Sequence, residues 1–261
     1  MYSISNKKIN NQKISVSFTW DDNSVNHFEK IGPLFEKFGL RCTFFVVPGD
    51  SNFQNVFLDK YTKLSLSGFE IGSHSYSHKQ MTKLVENEWE FEFSEAINCI
   101  LKFTGKYPVS FAFPYHDFND NLLKVSRKFH LETRNTLNNS IRFSLKTTTT
   151  LKDLIASLGK AIFLKQDLVF SGHSVITTEE LKANKAGEGY EPMNLKILED
   201  FLGKLISLES SIKVVPFSHA VILEFIRNNS TANDDFLFLN QASLNELSKF
   251  GINKISLDSI I

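Results

Sequence analysis

Ile14-Ser15-Val16-Ser17-Phe18-Thr19-Trp20-Asp21-Asp22 alternates apolar with small polar side chains and then ends on two adjacent carboxylates. A two-residue period is that of a β-strand, and Asn23 and Ser24 directly beyond it offer a helix cap, so the stretch reads as a strand feeding a helix. Two like charges at a strand's carboxyl end can both stay ionised if a bound cation takes one and the other accepts a proton. A turn in which an Asp caps the next helix accounts for the dipeptide equally well.

The strand-then-helix order repeats outward from this stretch. Val25, Phe28, Ile31, Phe35 and Phe38 have helical spacing over 24–39, ending at Gly39, and 41–47 is a buried-strand run closed by Pro48-Gly49. A helix over 53–67, a strand over 69–72, and a long helix over 81–103 follow, the last with Leu84, Val85, Trp89, Ala96, Ile97, Ile100 and Leu101 inward and Gly105 as its stop. Then come a strand at 109–113, a helix at 119–130, and a short strand at 131–133, with 137–150 irregular or strand. Thr150 caps a helix over 151–164, 167–171 is a strand, and 174–192 is a polar insertion whose Gly187 and Gly189 would let it move over a site. A helix over 194–208, a strand at 212–215 and a helix over 219–227 capped by Ser218 complete the series. The tail adds a strand at 236–240 and a helix over 244–250 with a Ser243-x-x-Glu246 capping box. About seven such units without a glycine-rich phosphate loop favour an α/β barrel of parallel strands over a doubly wound sheet. No linker divides the chain, so the expectation is a single domain over 1–261, with the barrel at about 14–228 and a short C-terminal extension over 234–261.

Composition narrows the classes. The chain has 261 residues, 42% of them hydrophobic, and its 29 basic and 29 acidic side chains balance, so no long-range field draws it to nucleic acid or an anionic membrane. Its N-terminus is polar and no apolar run is long enough for a transmembrane segment, which predicts a soluble cytoplasmic protein, or an exported one if a signal has been trimmed. Cys42 and Cys99 lie in apolar patterns and are expected as free thiols.

On a barrel the functional face is the rim at the strands' carboxyl ends, and five of seven histidines, His74, His78, His116, His173 and His219, fall just past strands. In His74-x-x-x-His78 a helical turn would put both rings on one side. With Asp22 they form a two-His, one-carboxylate set that leaves coordination positions for water and substrate. A non-haem iron oxygenase uses the same donors, but the alternating βα pattern does not suit its β fold. His173, directly after a strand, is the candidate proton donor.

Asp21-Asp22, His74-x-x-x-His78, Pro114-Tyr115 and His173, in this order, resemble the polysaccharide deacetylases of the NodB-homology type, carbohydrate esterase family four, over roughly residues 14–220. The resemblance implies a distorted (β/α) barrel and a metal-dependent amide hydrolase that removes acetyl from an N-acetylated sugar of a polysaccharide or its precursor. It assigns Asp21 as general base, Asp22, His74 and His78 as ligands of one divalent metal, with zinc the expected ion, and His173 as general acid. The Tyr115 N–H would help hold the oxyanion. Three departures stand out: Ala112 replaces an arginine that orients the base, His116 replaces a glycine, and 131–138 lacks the Asp-x-x-Asp-Trp pattern. Arg134, just past the neighbouring short strand, is the expected substitute for the missing arginine. The alternatives are a cytoplasmic deacylase of a nucleotide- or lipid-linked sugar and a catalytically impaired sugar-binding relative.

Overall fold

The computed structural model describes residues 2–5, 13–183, 190–232, 236–253 and 257. Its strands are β1 (Tyr2–Ser5), β2 (Ile14–Asp21), β3 (Thr43–Val46), β4 (Glu70–Ser73), β5 (Ser110–Phe111), β6 (Glu132–Thr133), β7 (Ser140–Ser144), β8 (Asp167–Gly172), β9 (Val175–Ile176), β10 (Met193–Asn194), β11 (Ile212–Val214), β12 (Ser230–Ala232) and β13 (Phe236–Leu239). Seven of them form a parallel sheet in the order β6-β5-β4-β3-β2-β8-β7, with β11 added beside the start of β2. Curled, with helices around it, this sheet is the expected distorted (β/α) barrel, open along a seam between its edge strands β6 and β7.

The alternation in β2 explains why it sits at the centre. Val16, Phe18 and Trp20 pack outward with Phe35, Leu168, Phe170 and Phe201 against the helices, while Ser15, Ser17 and Thr19 face a narrow interior; residues 15–21 are all buried. Inside, Phe45, Ala112, Val169 and Phe217 form a second, smaller apolar cluster. Gly72 is required there, because a Cβ would lie 2.5 Å from the Phe45 ring.

Most predicted elements are present, and the differences have local causes. The long helix runs Glu86–Thr104, not from 81, because Met81–Lys83 forms a separate turn; Val85 and Leu101 are exposed, while Phe93 takes an inward place. The stretch 137–150 supplies β7. Along the insertion at 174–192, β9 pairs with β10 just beyond it and a capped helix Thr178–Lys182 follows β9; Gly187 and Gly189 lie outside the described residues. Ser218 does not cap its helix, which runs Phe217–Asn229 from Pro216: the Ser218 N–H donates to Glu70 instead, at 2.7 Å. The last helix is Gln241–Lys249, capped by Asn240 in place of the expected Ser243 box. β1 had no counterpart in the sequence reading; it pairs antiparallel with β13, which joins the chain's start to its C-terminal extension. Cys42 and Cys99 are free thiols, and no helix among the described residues is long and apolar enough to cross a membrane.

Candidate active site

Three strand ends supply the centre of the rim. Asp22 follows β2 in a left-handed backbone conformation, φ 63°, and is held there by Asn23, whose amide donates to Val47 O (2.8 Å) and accepts from Val47 N (3.1 Å). His74 and His78 follow β4 in a loop rather than the helical turn expected. Left-handed Ser75 and His78 fold this loop back so that the two imidazoles meet edge to face, 5.0 Å apart. Buried Glu92, which the sequence reading did not single out, anchors it by accepting from the Ser77 N–H at 2.8 Å and from the Ser77 hydroxyl. Of eight non-glycine residues with positive φ among those described, six (Asp22, Ser75, His78, Tyr115, His116 and Glu191) belong to this rim, where strained backbone is held in place by the surrounding structure.

These donors fit a metal ion. One atom each of Asp22, His74 and His78 lies within 4.8 Å of the others, with His Nε2 to Asp22 Oδ1 distances of 3.5 Å for His74 and 3.1 Å for His78. The His74 Nδ1–H donates to Ala112 O at 2.7 Å, which leaves the Nε2 lone pair aimed at the cluster, the arrangement of a ligating histidine. Asp22 Oδ1 is buried and has no hydrogen-bond partner among the described residues, as expected of an oxygen kept for a cation. Burial opposes ionisation of Asp22, but the imidazoles of His74 and His78 against it outweigh burial and hold the carboxyl far below its ordinary range.

Asp21 sits beneath, almost fully buried, and meets Arg134. The guanidinium donates Nη1–H to Asp21 Oδ1 at 2.5 Å and Nη2–H to Oδ2 at 2.6 Å, and a further Nη1 bond reaches Thr19 Oγ1 at 3.0 Å. It lies 5.3 Å over the Phe45 ring. Burial alone would raise the Asp21 pKa; the charge of Arg134, with His74 and His173 behind it, reverses this and holds the carboxyl below the usual range. Arg134 can reach because the β5–β6 register carries its backbone up to the rim, where its N–H bonds Phe111 O at 2.8 Å, and because Ala112 leaves the interior space free.

A cavity of about 560 Å³ over this cluster is lined by Asp21, Asp22, His74, His78, Tyr115 and His173 together with His116, Lys146, Tyr190 and Glu191. His173 follows β8; its carbonyl accepts from His27 Nε2 at 2.8 Å, and its ring abuts Tyr190. Pro114 is buried and opens a short turn, and Tyr115 is exposed with its ring 4.7 Å from that of His78. His219 is not on this rim: β11 pairs with β2 only up to Val16, so its carboxyl end stops low in the barrel and His219 lines a different cavity. His116 lies on the rim as its position past a strand predicts, whereas Tyr190 and Glu191 carried no motif and only the placement of their loop brings them in.

A family model described as polysaccharide deacetylase matches residues 8–133. The chain is 26% identical over 126 residues to a chitin deacetylase of Arthroderma benhamiae, covering 46% of this chain and 33% of that protein. It is 30% identical over 100 residues to a peptidoglycan deacetylase of Helicobacter pylori, covering 37% and 33%. The chain thus spans about a third of the length of these curated relatives. Its fold is shared with a family 4 carbohydrate esterase from Streptomyces lividans, solved in complex with acetate: the TM-score is 0.56 at 19% identity, over 78% of this chain and 92% of the other. Matched in sequence over its first five barrel strands, β2 to β6, and in fold beyond them, the chain is similar to the polysaccharide deacetylases of NodB-homology type.

Proposed function

We propose that this rim hydrolyses the acetamido group of an N-acetylated sugar, with one divalent metal, zinc being the expected ion, held by Asp22, His74 and His78. The observation that carries the reading is the convergence of those donors beside a buried Asp–Arg pair and a rim histidine in one cavity. When bound, the metal supplies a water of lowered pKa and draws charge from the amide oxygen. Asp21 accepts the proton of the attacking water as its oxygen bonds to the carbonyl carbon; Arg134 keeps that carboxylate ionised and fixes its orientation. The Tyr115 N–H supports the oxyanion, and His173 protonates the amine as the C–N bond breaks, which leaves acetate and a free amino sugar. The reading as an impaired sugar-binding relative rests on Ala112 alone, and Arg134 brings a guanidinium to the base by another route.

The test is acetate release from N-acetylglucosamine oligomers by chelated and metal-reloaded protein. Reloaded protein is expected to bind one metal equivalent and release acetate, and His78→Ala to lose both. Full metal retention by His78→Ala would remove the ligand assignment; a loaded protein that binds the oligomers without releasing acetate would remove the hydrolytic one.

A further inference from the structure

A second cavity, of about 310 Å³, opens beside the first along the seam between β6 and β7, and shares His116, Ser144 and Ser171 with it. That volume is at the lower end of the range for small-ligand pockets, about 300–1,000 Å³. Among the described residues no carboxylate lines it. Its two guanidinium groups differ: Arg134 is neutralised by Asp21, whereas Arg142 has no ion-pair partner among the described residues. Arg142 makes one hydrogen bond among those residues, an Nη1–H to Asn135 O across the seam, so most of its five N–H donors stay free. The Asn135 side chain is fixed by its Nδ2–H bond to His116 Nδ1 at 3.1 Å, while its Oδ1 is buried with no partner among the described residues. The buried, unmatched Asn135 Oδ1 is costly unless a ligand completes it, and Arg142, exposed on the lining of the same cavity, keeps donors that could reach such a ligand.

We infer that this seam cavity is a subsite for an anionic sugar, whose carboxylate or phosphate pairs with Arg142 while a ring hydroxyl donates to Asn135 Oδ1. Joined to the rim, it would receive the group next to the N-acetylated residue and select acidic over neutral saccharides; this rests on the proposed sugar-deacetylating function. Closing the seam requires only one of Arg142's donors, and the rest form the planar fork that matches carboxylate and phosphate.

The test measures binding by calorimetry, and acetate release, with three probes: a neutral N-acetylhexosamine oligomer, an oligosaccharide of the same length alternating N-acetylhexosamine with hexuronic acid, and N-acetylhexosamine 1-phosphate. One charge-assisted contact should make an anionic probe bind about tenfold more tightly than the neutral one, a preference that fades with added salt. Tighter binding of the hexuronic acid oligomer or of the 1-phosphate identifies which anion the subsite takes. In Arg142→Gln the ratio should fall to about one. Ser144→Asp, which leaves Arg142 in place but adds a competing carboxylate to the same cavity, should abolish the preference too. Equal affinities in the wild type, or a preference that survives both substitutions, overturns the subsite. An Arg142-dependent preference without acetate release rejects the hydrolytic function and keeps the subsite; acetate release without the preference does the reverse.

Discussion

The barrel holds one carboxylate at each end, Asp21 buried and Glu70 half-buried, and treats the two oppositely. At the rim Asp21 is paired with Arg134, and the guanidinium pulls its pKa below the ordinary value despite burial. At the foot, burial pushes the Glu70 pKa up: its partners are the Thr43 hydroxyl at 2.7 Å, the Ser218 N–H at 2.7 Å and the Ser110 hydroxyl at 2.5 Å, none of them a cation. The foot also holds the larger cavity, about 610 Å³, yet among the described residues no cluster of metal-binding donors lies there. Glu70's partners come from β3, β5 and the helix Phe217–Asn229, so it ties elements together. Asp21 is kept charged beside a candidate metal-binding cluster, which suits its proposed role in proton transfer. Between these two carboxylates the opposite pKa directions follow the cation beside Asp21 and the lack of one among the partners of Glu70.

Arg134→Met should break this contrast most severely. It leaves Asp21 buried without a partner, and in chelated protein should lower unfolding free energy at pH 7 by about 3–5 kcal/mol in denaturant titrations. In the wild type a depressed Asp21 pKa contributes stability that is full above 3.8 and lost as pH falls below it. The variant gains from protonation instead, so the gap between the two proteins should narrow in acid.

Glu70→Gln should cost less, about 1–3 kcal/mol, since an amide can keep some of the three bonds. Its pH trend should also run the other way. With the folded pKa raised, Glu70 contributes most below 4.5, and that contribution declines as pH rises through the folded value. The deficit of Glu70→Gln should therefore be largest in acid and shrink toward neutrality. Parallel pH trends for the two variants would contradict the distinction between the ends.

Smallest is the effect expected at His130, which lies buried against Phe93 and Phe111 with neither ring nitrogen partnered among the described residues. Burial lowers its pKa from 6.5 to about 3, so the wild type loses stability as pH falls from 6.5 toward 3, when the unfolded chain takes up the proton first. His130→Phe should be within about 1 kcal/mol of wild type at pH 7. Thermal melts should show it losing less stability on acidification than the wild type.

The rim was more legible than the foot for a physical reason. Metal ligation and proton transfer demand particular side chains at short spacings, so Asp21-Asp22 and His74-x-x-x-His78 stand out within single segments. Glu70, Glu92, Asn135 and Arg142 work through partners 40, 15, 19 and 7 residues away, which no local pattern announces. Arg134 was reachable only by adding barrel geometry to the sequence, since its partner is 113 residues distant. His219 shows the converse error: a histidine past a strand reaches the rim only if that strand does, and β11 stops beside Val16. The pairing of β1 with β13 joins segments at opposite ends of the chain, where the polar N-terminus carries no strand period.

In the proposed mechanism Arg134 performs for Asp21 what an arginine at position 112 would. Ala112 lies inside the barrel with Phe45, the ring under the Arg134 guanidinium, so the charge can be moved between the two positions. The decisive measurement is kcat for acetate release, with metal content, in Arg134→Ala and in Arg134→Ala/Ala112→Arg. This role of Arg134 requires full metal content in both, a loss of about a hundredfold in the single variant, and recovery of much of that loss in the double. Wild-type turnover by metal-loaded Arg134→Ala would contradict it.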